Sequence, residues 1–178
     1  MAKLINIVLA LCEIGAVLAH GRKSPLKIVL RYFTAQSNVL CAVAAIMVAV
    51  FGGQGSLVLK YVGTAAVTVT MLTVLLFLGP NIGYKPLLSG PDLWLHLICP
   101  ILAIASYVAW DGVKVGPWVI LVGMLPVLLY GILYLYKAVY IKKWDDFYGF
   151  NREGKWPLSF IAMMIGMFVI SAGLWMAR

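Results

Sequence analysis

The sequence predicts an all-α integral membrane protein whose six transmembrane helices form a single bundle over residues 1–178. Three observations carry that prediction. The chain is 63% hydrophobic, with a mean hydropathy of +1.00. Charged residues make up only 11% of it, where soluble domains carry roughly 25%. Six apolar stretches come close to the length of about 20 helical residues that crosses a hydrocarbon core. The connections between them are too short to hold another domain.

The first stretch, Leu4–His20, follows Lys3 and has the outline of a signal peptide. Glu13 interrupts its apolar run and Arg22-Lys23 come after it, so it is expected to stay in the mature protein as a helix. The second, Lys27–Phe51, opens with a hydroxyl, an amide and a second hydroxyl in Arg31-Tyr32-Phe33-Thr34-Ala35-Gln36-Ser37-Asn38. The third, Ser56–Gly79, carries Thr70 and Thr73. The fourth, Pro91–Trp110, contains His96 in an otherwise apolar run from Leu93 to Pro100. Pro117–Ala138 and Pro157–Met176 complete the set. The longest connection, Ile141–Trp156, mixes Trp144, Phe147, Tyr148, Phe150 and Trp156 with Asp145, Asp146, Arg152 and Glu153. Such a mixture fits a segment lying at headgroup level. It is either an aromatic anchor or a lid over a site, with Tyr148 and Phe150 as the lid candidates.

Charge gives an orientation. Ten of the fourteen basic residues lie in or beside the loops after the first, third and fifth helices: Arg22, Lys23, Lys27, Arg31, Lys85, Lys137, Lys142, Lys143, Arg152 and Lys155. Lys3, Lys60, Lys114 and Arg178 make up the rest. The positive-inside rule puts the odd-numbered loops in the cytoplasm and both termini outside. The net charge of +8 is explained by orientation and anionic-lipid contact, and it needs no nucleic-acid partner. Cys12, Cys41 and Cys99 fall in three different helices without ligand spacing. They are expected to pack, with no disulfide framework and no metal centre. Nothing in the chain asks for a cofactor.

Thr34, Ser37 and Asn38 fall at i, i+3 and i+4, one helical face. At a rise of about 1.5 Å per residue, Thr34 lies about 4–5 Å below Arg31 and His96 about 6 Å below Asp92. Both helices start from odd-numbered loops, so the two residues are level. Thr34 and His96 are therefore candidates for a nucleophile and its base, with Asn38 and Ser37 as candidate oxyanion donors. The plainer alternative has Thr34 bonding back to the Leu30 carbonyl, Ser37 and Asn38 joining helices, and His96 packed against one neighbour. Glu13 lies roughly 10 Å below the basic loop. It is expected to be protonated or paired: as a second-shell partner orienting His96, as a hydrogen-bond partner of Thr70 or Thr73, or as a proton carrier. No Gly-x-Ser-x-Gly elbow or His-Glu-x-x-His zinc motif competes with this pair.

The segments Arg31-Tyr32-Phe33-Thr34 and Trp94-Leu95-His96-Leu97-Ile98-Cys99-Pro100 resemble the androgen-induced protein family, which includes the androgen-dependent TFPI-regulating protein and bacterial relatives. The resemblance implies a small multi-helix membrane protein, here of a bacterial inner membrane. Animal members are threonine hydrolases of fatty acid esters of hydroxy fatty acids. Their pattern is an aromatic or aliphatic pair before the nucleophilic threonine, then a histidine in an apolar segment leading to a proline. Thr34 matches the nucleophile and His96 the histidine, with Pro100 four residues on. Two positions depart from the pattern. The loop after the fifth helix reads Phe147-Tyr148-Gly149-Phe150 instead of a Tyr-Pro-Phe-like run, and Ala35-Gln36-Ser37-Asn38 is a more polar continuation. The function this implies is hydrolysis of a lipid ester inside the membrane, with a membrane lipid or fatty ester as partner. Its rival is a non-enzymatic lipid-binding or proton-coupled transport protein with Glu13 and His96 in its site.

Overall fold

The computed structural model describes residues 1–22 and 25–178, so Lys23, counted above among the loop charges, lies outside the described residues. Those residues are 81% helical, with no strand among them. Six helices are long and apolar enough to cross a membrane: α1 (Ala2–Gly21), α2 (Phe33–Val50), α3 (Gly53–Ile82), α4 (Pro91–Asp111), α5 (Val119–Tyr140) and α6 (Trp156–Met176). They run alternately up and down, so the odd-numbered connections gather at one end, here termed the basic end.

The helix α3 is the core of the bundle. It packs against α2, α4, α5 and α6, while α1 closes the opposite side against α2 and α4. In lipid the hydrophobic effect does not drive helices together, so close approach rests on small residues and on polar bonds between helices. Gly63 of α3 shows the first device: a Cβ there would lie 2.8 Å from the Cys41 Cα of α2. Gly123 of α5 does the same, because a Cβ would meet the Ser171 Oγ and the Tyr61 ring. Tyr61 supplies the second device, its hydroxyl donating to the Ser171 carbonyl at 2.7 Å. The outward faces are apolar throughout, as with Leu4, Leu11 and Leu18 on α1 or Leu158, Ile161, Ile165 and Val169 on α6. Those faces match hydrocarbon, the solvent that six such helices imply.

The sequence predicts one helix over Lys27–Phe51, and here the structure differs. Leu26–Val29 forms a separate turn, Tyr32 is extended at φ −88° and ψ 135°, and α2 starts only at Phe33. Tertiary contacts take up the backbone groups freed by the break. The Leu30 carbonyl accepts the Gln36 side-chain amide at 2.8 Å, and the Arg31 carbonyl accepts the Tyr130 hydroxyl at 2.7 Å. The break turns Tyr32 outward onto Phe147, with ring centroids 4.6 Å apart.

Two helices widen to a π turn ahead of a proline: Val74–Leu78 before Pro80, and Trp94–Ile98 before Pro100. Proline has no N–H and its ring crowds the carbonyl four residues back. Lengthening the local turn relieves that clash, and in α4 the Cys99 N–H reaches back to the Trp94 carbonyl. His96 sits in the middle of this widened turn.

Candidate active site

The break before Phe33 decides what Thr34 can do. Threonine in mid-helix bonds to a carbonyl one turn back, but Thr34 is the second residue of α2 and Leu30 lies beyond the break. The Thr34–Leu30 bond of the plainer alternative is therefore not formed. The Thr34 Oγ1 instead faces His96 Nε2 of α4 at 3.3 Å. That is slightly longer than a tight hydrogen bond and within the looser contact of a ligand-free site.

The other ring nitrogen fixes the tautomer. His96 Nδ1 lies 2.7 Å from the Leu87 carbonyl, and a carbonyl only accepts, so Nδ1 carries the hydrogen. In the neutral ring Nε2 then holds a lone pair directed at the Thr34 hydroxyl. Leu87 belongs to the short helical turn Tyr84–Leu87 in the α3–α4 connection. Glu13 does not orient the imidazole, contrary to expectation. The Leu87 carbonyl has taken that place, and the Glu13 oxygens have no hydrogen-bond partner, Thr70 and Thr73 included. His96 is 8% exposed. One turn nearer the basic end, Asp92 pairs with His20 at 2.8 Å.

Ser37 and Asn38 are beside the pair but already occupied. Asn38 Nδ2 donates to the Thr34 carbonyl at 2.8 Å and to the Leu95 carbonyl at 3.2 Å. Both amide hydrogens are thus used in tying α2 to α4, and none is left for an oxyanion. The Ser37 hydroxyl lies 3.1 Å from the Thr34 carbonyl and 2.9 Å from the Thr70 hydroxyl of α3. These two residues act as joints between helices, the plainer of the two expectations.

The free donors are elsewhere. The first N–H groups of a helix have no partner within it. Those of Thr34 and Ala35 find no acceptor among the described residues, while the Phe33 N–H donates to the Tyr148 hydroxyl at 3.0 Å. Tyr148 is brought there by a built loop. Asp146 accepts the Tyr134 hydroxyl at 2.7 Å and the Phe150 and Asn151 N–H groups at 2.9 and 2.7 Å. The Tyr134 hydroxyl in turn accepts the Tyr148 N–H at 3.2 Å. Of the two lid candidates, Tyr148 reaches the site, whereas Phe150 packs on Tyr134. Burial pushes the Tyr148 phenol up to about 12, so its hydroxyl keeps its proton at neutral pH.

An apolar cleft begins beside this site. Its first section, about 250 Å³, is lined by Phe33, Gln36, Ser37 and Leu40 of α2 and by Pro126, Leu129, Tyr130 and Leu133 of α5. A second section of about 490 Å³ shares Leu40, Pro126 and Leu129 and continues over Val58 and Val62 to Gly55. The two together follow α5 from Leu133 to Val122, about 16 Å by the helical rise. Only Gln36, Ser37 and the Tyr130 hydroxyl are polar along it.

The sequence reading brought together Thr34, His96, Ser37 and Asn38, and the structure places all four within one cluster. It missed the Leu87 carbonyl and the free N–H groups of Thr34 and Ala35, which depend on where α2 starts. It also missed a second buried polar group at the opposite end, built on Asn6, Lys60 and Asp111. Lys60 stood inside a predicted span, and that was signal enough to separate it from the loop charges. No family model, no curated protein and no solved structure matches this chain.

Proposed function

We propose that this protein is an intramembrane hydrolase of lipid esters in which Thr34 is the nucleophile and His96 its base. One observation carries the reading: a threonine hydroxyl 3.3 Å from a histidine nitrogen whose ring partner is pinned by a backbone carbonyl. That pairing supplies an acceptor for the hydroxyl proton in the tautomer the chemistry needs. The motif resemblance points the same way, and the adjoining cleft suits an acyl chain.

In the proposed reaction Nε2 takes the Thr34 proton as the oxygen attacks the ester carbonyl. The Thr34 and Ala35 N–H groups and the Tyr148 hydroxyl stabilise the oxyanion. The tetrahedral species collapses by breaking its bond to the alkoxy oxygen, which leaves as the alcohol with the proton from Nε2. Water then attacks the acyl-threonine, giving its proton to His96, and the Thr34 oxygen recovers that proton as the fatty acid departs. No carboxylate backs the imidazole. The Leu87 carbonyl, bonded to Nδ1, supports the charge that forms on it, and Asp92 acts on that charge only from a distance.

The same reading puts the odd-numbered loops, and with them the site, on the cytoplasmic side of a bacterial inner membrane. With Lys60 buried in α3, the opposite side keeps only Lys3, Lys114 and Arg178, which sharpens the asymmetry. A fusion reporter at Arg178 that is active in the cytoplasm would reverse the orientation and leave the chemistry intact.

The direct test is hydrolysis of long-chain fatty esters by the purified protein in detergent, with labelling of Thr34 by a fluorophosphonate. Turnover that survives in well-folded Thr34→Ala removes Thr34 as nucleophile. A wild type inert on every ester, but binding fatty acids in its cleft, would favour the lipid-binding alternative.

A further inference from the structure

The reaction above leaves a second set of buried polar side chains unused, in the half of the bundle away from the basic end. Lys60 of α3 is fully buried. Its ammonium donates to Asn6 Oδ1 of α1 at 2.8 Å and stands 4.0 Å from Asp111 Oδ2 of α4. Asp111 also accepts the Asn6 amide at 2.8 Å and the Ser106 hydroxyl at 3.3 Å. Asp111 is the last residue of its helix and Asn6 lies near the start of its own, so this triad is close to the far aqueous face.

Glu13 is seven residues on from Asn6, two turns along the same face of α1 and about 10 Å deeper. It is 0% exposed and neither carboxyl oxygen has a hydrogen-bond partner. Thr64, one turn deeper than Lys60 on α3, likewise has an unpartnered hydroxyl. The titratable groups facing Glu13 are Cys41 of α2, Lys60 of α3 and Cys99 of α4. Toward the basic end Ala16, Val17 and Leu95 form an apolar cluster, which separates it from His96.

Counting charge narrows what this carboxyl holds. The Asp111 carboxylate is already matched by the Lys60 ammonium. A second bare carboxylate in hydrocarbon would be uncompensated. A metal cation would need several converging ligands, no such group of His, Cys, Asp and Glu occurs among the described residues, and the Lys60 ammonium repels it. A proton satisfies the carboxyl without those requirements.

We propose that Glu13 is a proton-binding site at the centre of the bundle, loaded from the far aqueous face through Asp111 and Lys60. In the loading step the Lys60 ammonium gives one N–H proton to the Glu13 carboxylate, leaving a neutral amine. Asp111, protonated from water, returns a proton to that amine and becomes a carboxylate again. One proton has then moved from water to Glu13. Lys60 faces Glu13 as well as Asp111, and its four-carbon stem is flexible. The apolar cluster makes the site one-sided, so it is separate from the ester chemistry.

Infrared spectroscopy of the full chain in detergent tests this. At neutral pH the wild type should show the carbonyl stretch of a protonated carboxyl, and Glu13→Gln should remove that band. On transfer to D₂O the band should shift promptly in the wild type. In Lys60→Met the shift should be about tenfold or more slower, because exchange then waits for local opening of the bundle. Lys60→Met leaves Asp111 unpaired, so the neutral double variant Lys60→Met/Asp111→Asn carries the same expectation in a better-balanced core. The proposal fails if Glu13→Gln removes no band, or if exchange in the double variant is as fast as in the wild type. Ester hydrolysis by Glu13→Gln, expected to persist, separates this outcome from failure of the Thr34 reading.

Discussion

At the basic end, Thr34 and His96 face each other as two neutral groups, and one further bond, to the Leu87 carbonyl, holds the His96 ring. At the far end, Asn6, Lys60 and Asp111 hold one another through charge-assisted bonds with almost no exposure. Both sets are polar groups in an apolar bundle, yet they differ in what remains unused. The first retains a free lone pair, two free N–H groups and a nearby cleft. In the second each of the three side chains is bonded to another, and below it the carboxyl of Glu13 and the hydroxyl of Thr64 have no partner. Polarity inside a membrane marks a place worth inspecting. Hydrogen-bonding capacity left over separates a place for chemistry from a place that fastens helices.

Substitutions should divide along the same line. The largest effect is expected from Thr34→Ala or His96→Ala, each abolishing nearly all ester turnover while the protein stays monodisperse. Because nucleophile and base act as a unit, the double variant should be little worse than either single one. Additive losses would show that they do not cooperate. At the far end the loss should fall on stability instead: Lys60→Met breaks a buried pair and should destabilise by about 3–5 kcal/mol, read as a lowered thermal midpoint in detergent. An unchanged midpoint would erase the contrast drawn above.

Tyr148→Phe keeps the ring packing and removes one proposed oxyanion donor, so kcat should fall about 10²–10³-fold with a much smaller change in KM. A change confined to KM would return Tyr148 to the role of lid. Leu40→Trp, filling the cleft where its two sections join, should shift preference toward shorter acyl chains and leave short-ester turnover near wild type. Equal loss on all chain lengths would detach the cleft from the substrate. The smallest effect belongs to Asp92→Asn: its pair with His20 is partly exposed, and such pairs contribute about 0–1 kcal/mol.

The six helices and the level placement of Thr34 and His96 were legible because both follow from apolar length and residue count. What was not legible is set by contacts distant in sequence. The chain breaks before Phe33 because Tyr130 and Gln36 take the freed carbonyls and Phe147 takes the Tyr32 ring, and no local pattern reports those partners. Composition placed the 141–156 connection at the interface, but only the Asp146 turn aims Tyr148 at the start of α2. Lys60 illustrates a different failure. A rule that counts basic residues by side says nothing of depth, so a lysine buried against Asp111 entered the same tally as one in solvent.

Asn6, Glu13 and His20 recur every seven residues on α1, a straight polar line from one membrane face to the other. That regularity bears on how the protein is made. Polar side chains are costly in hydrocarbon until they are bonded, and the groups that bond Asn6 and His20 lie on α3 and α4. At about 5–20 residues per second, Lys60 is synthesised roughly 3–11 s after Asn6, and Asp111 later still. The helix α1 is thus made before α3 and α4, and its polar side chains gain their partners only once both have followed.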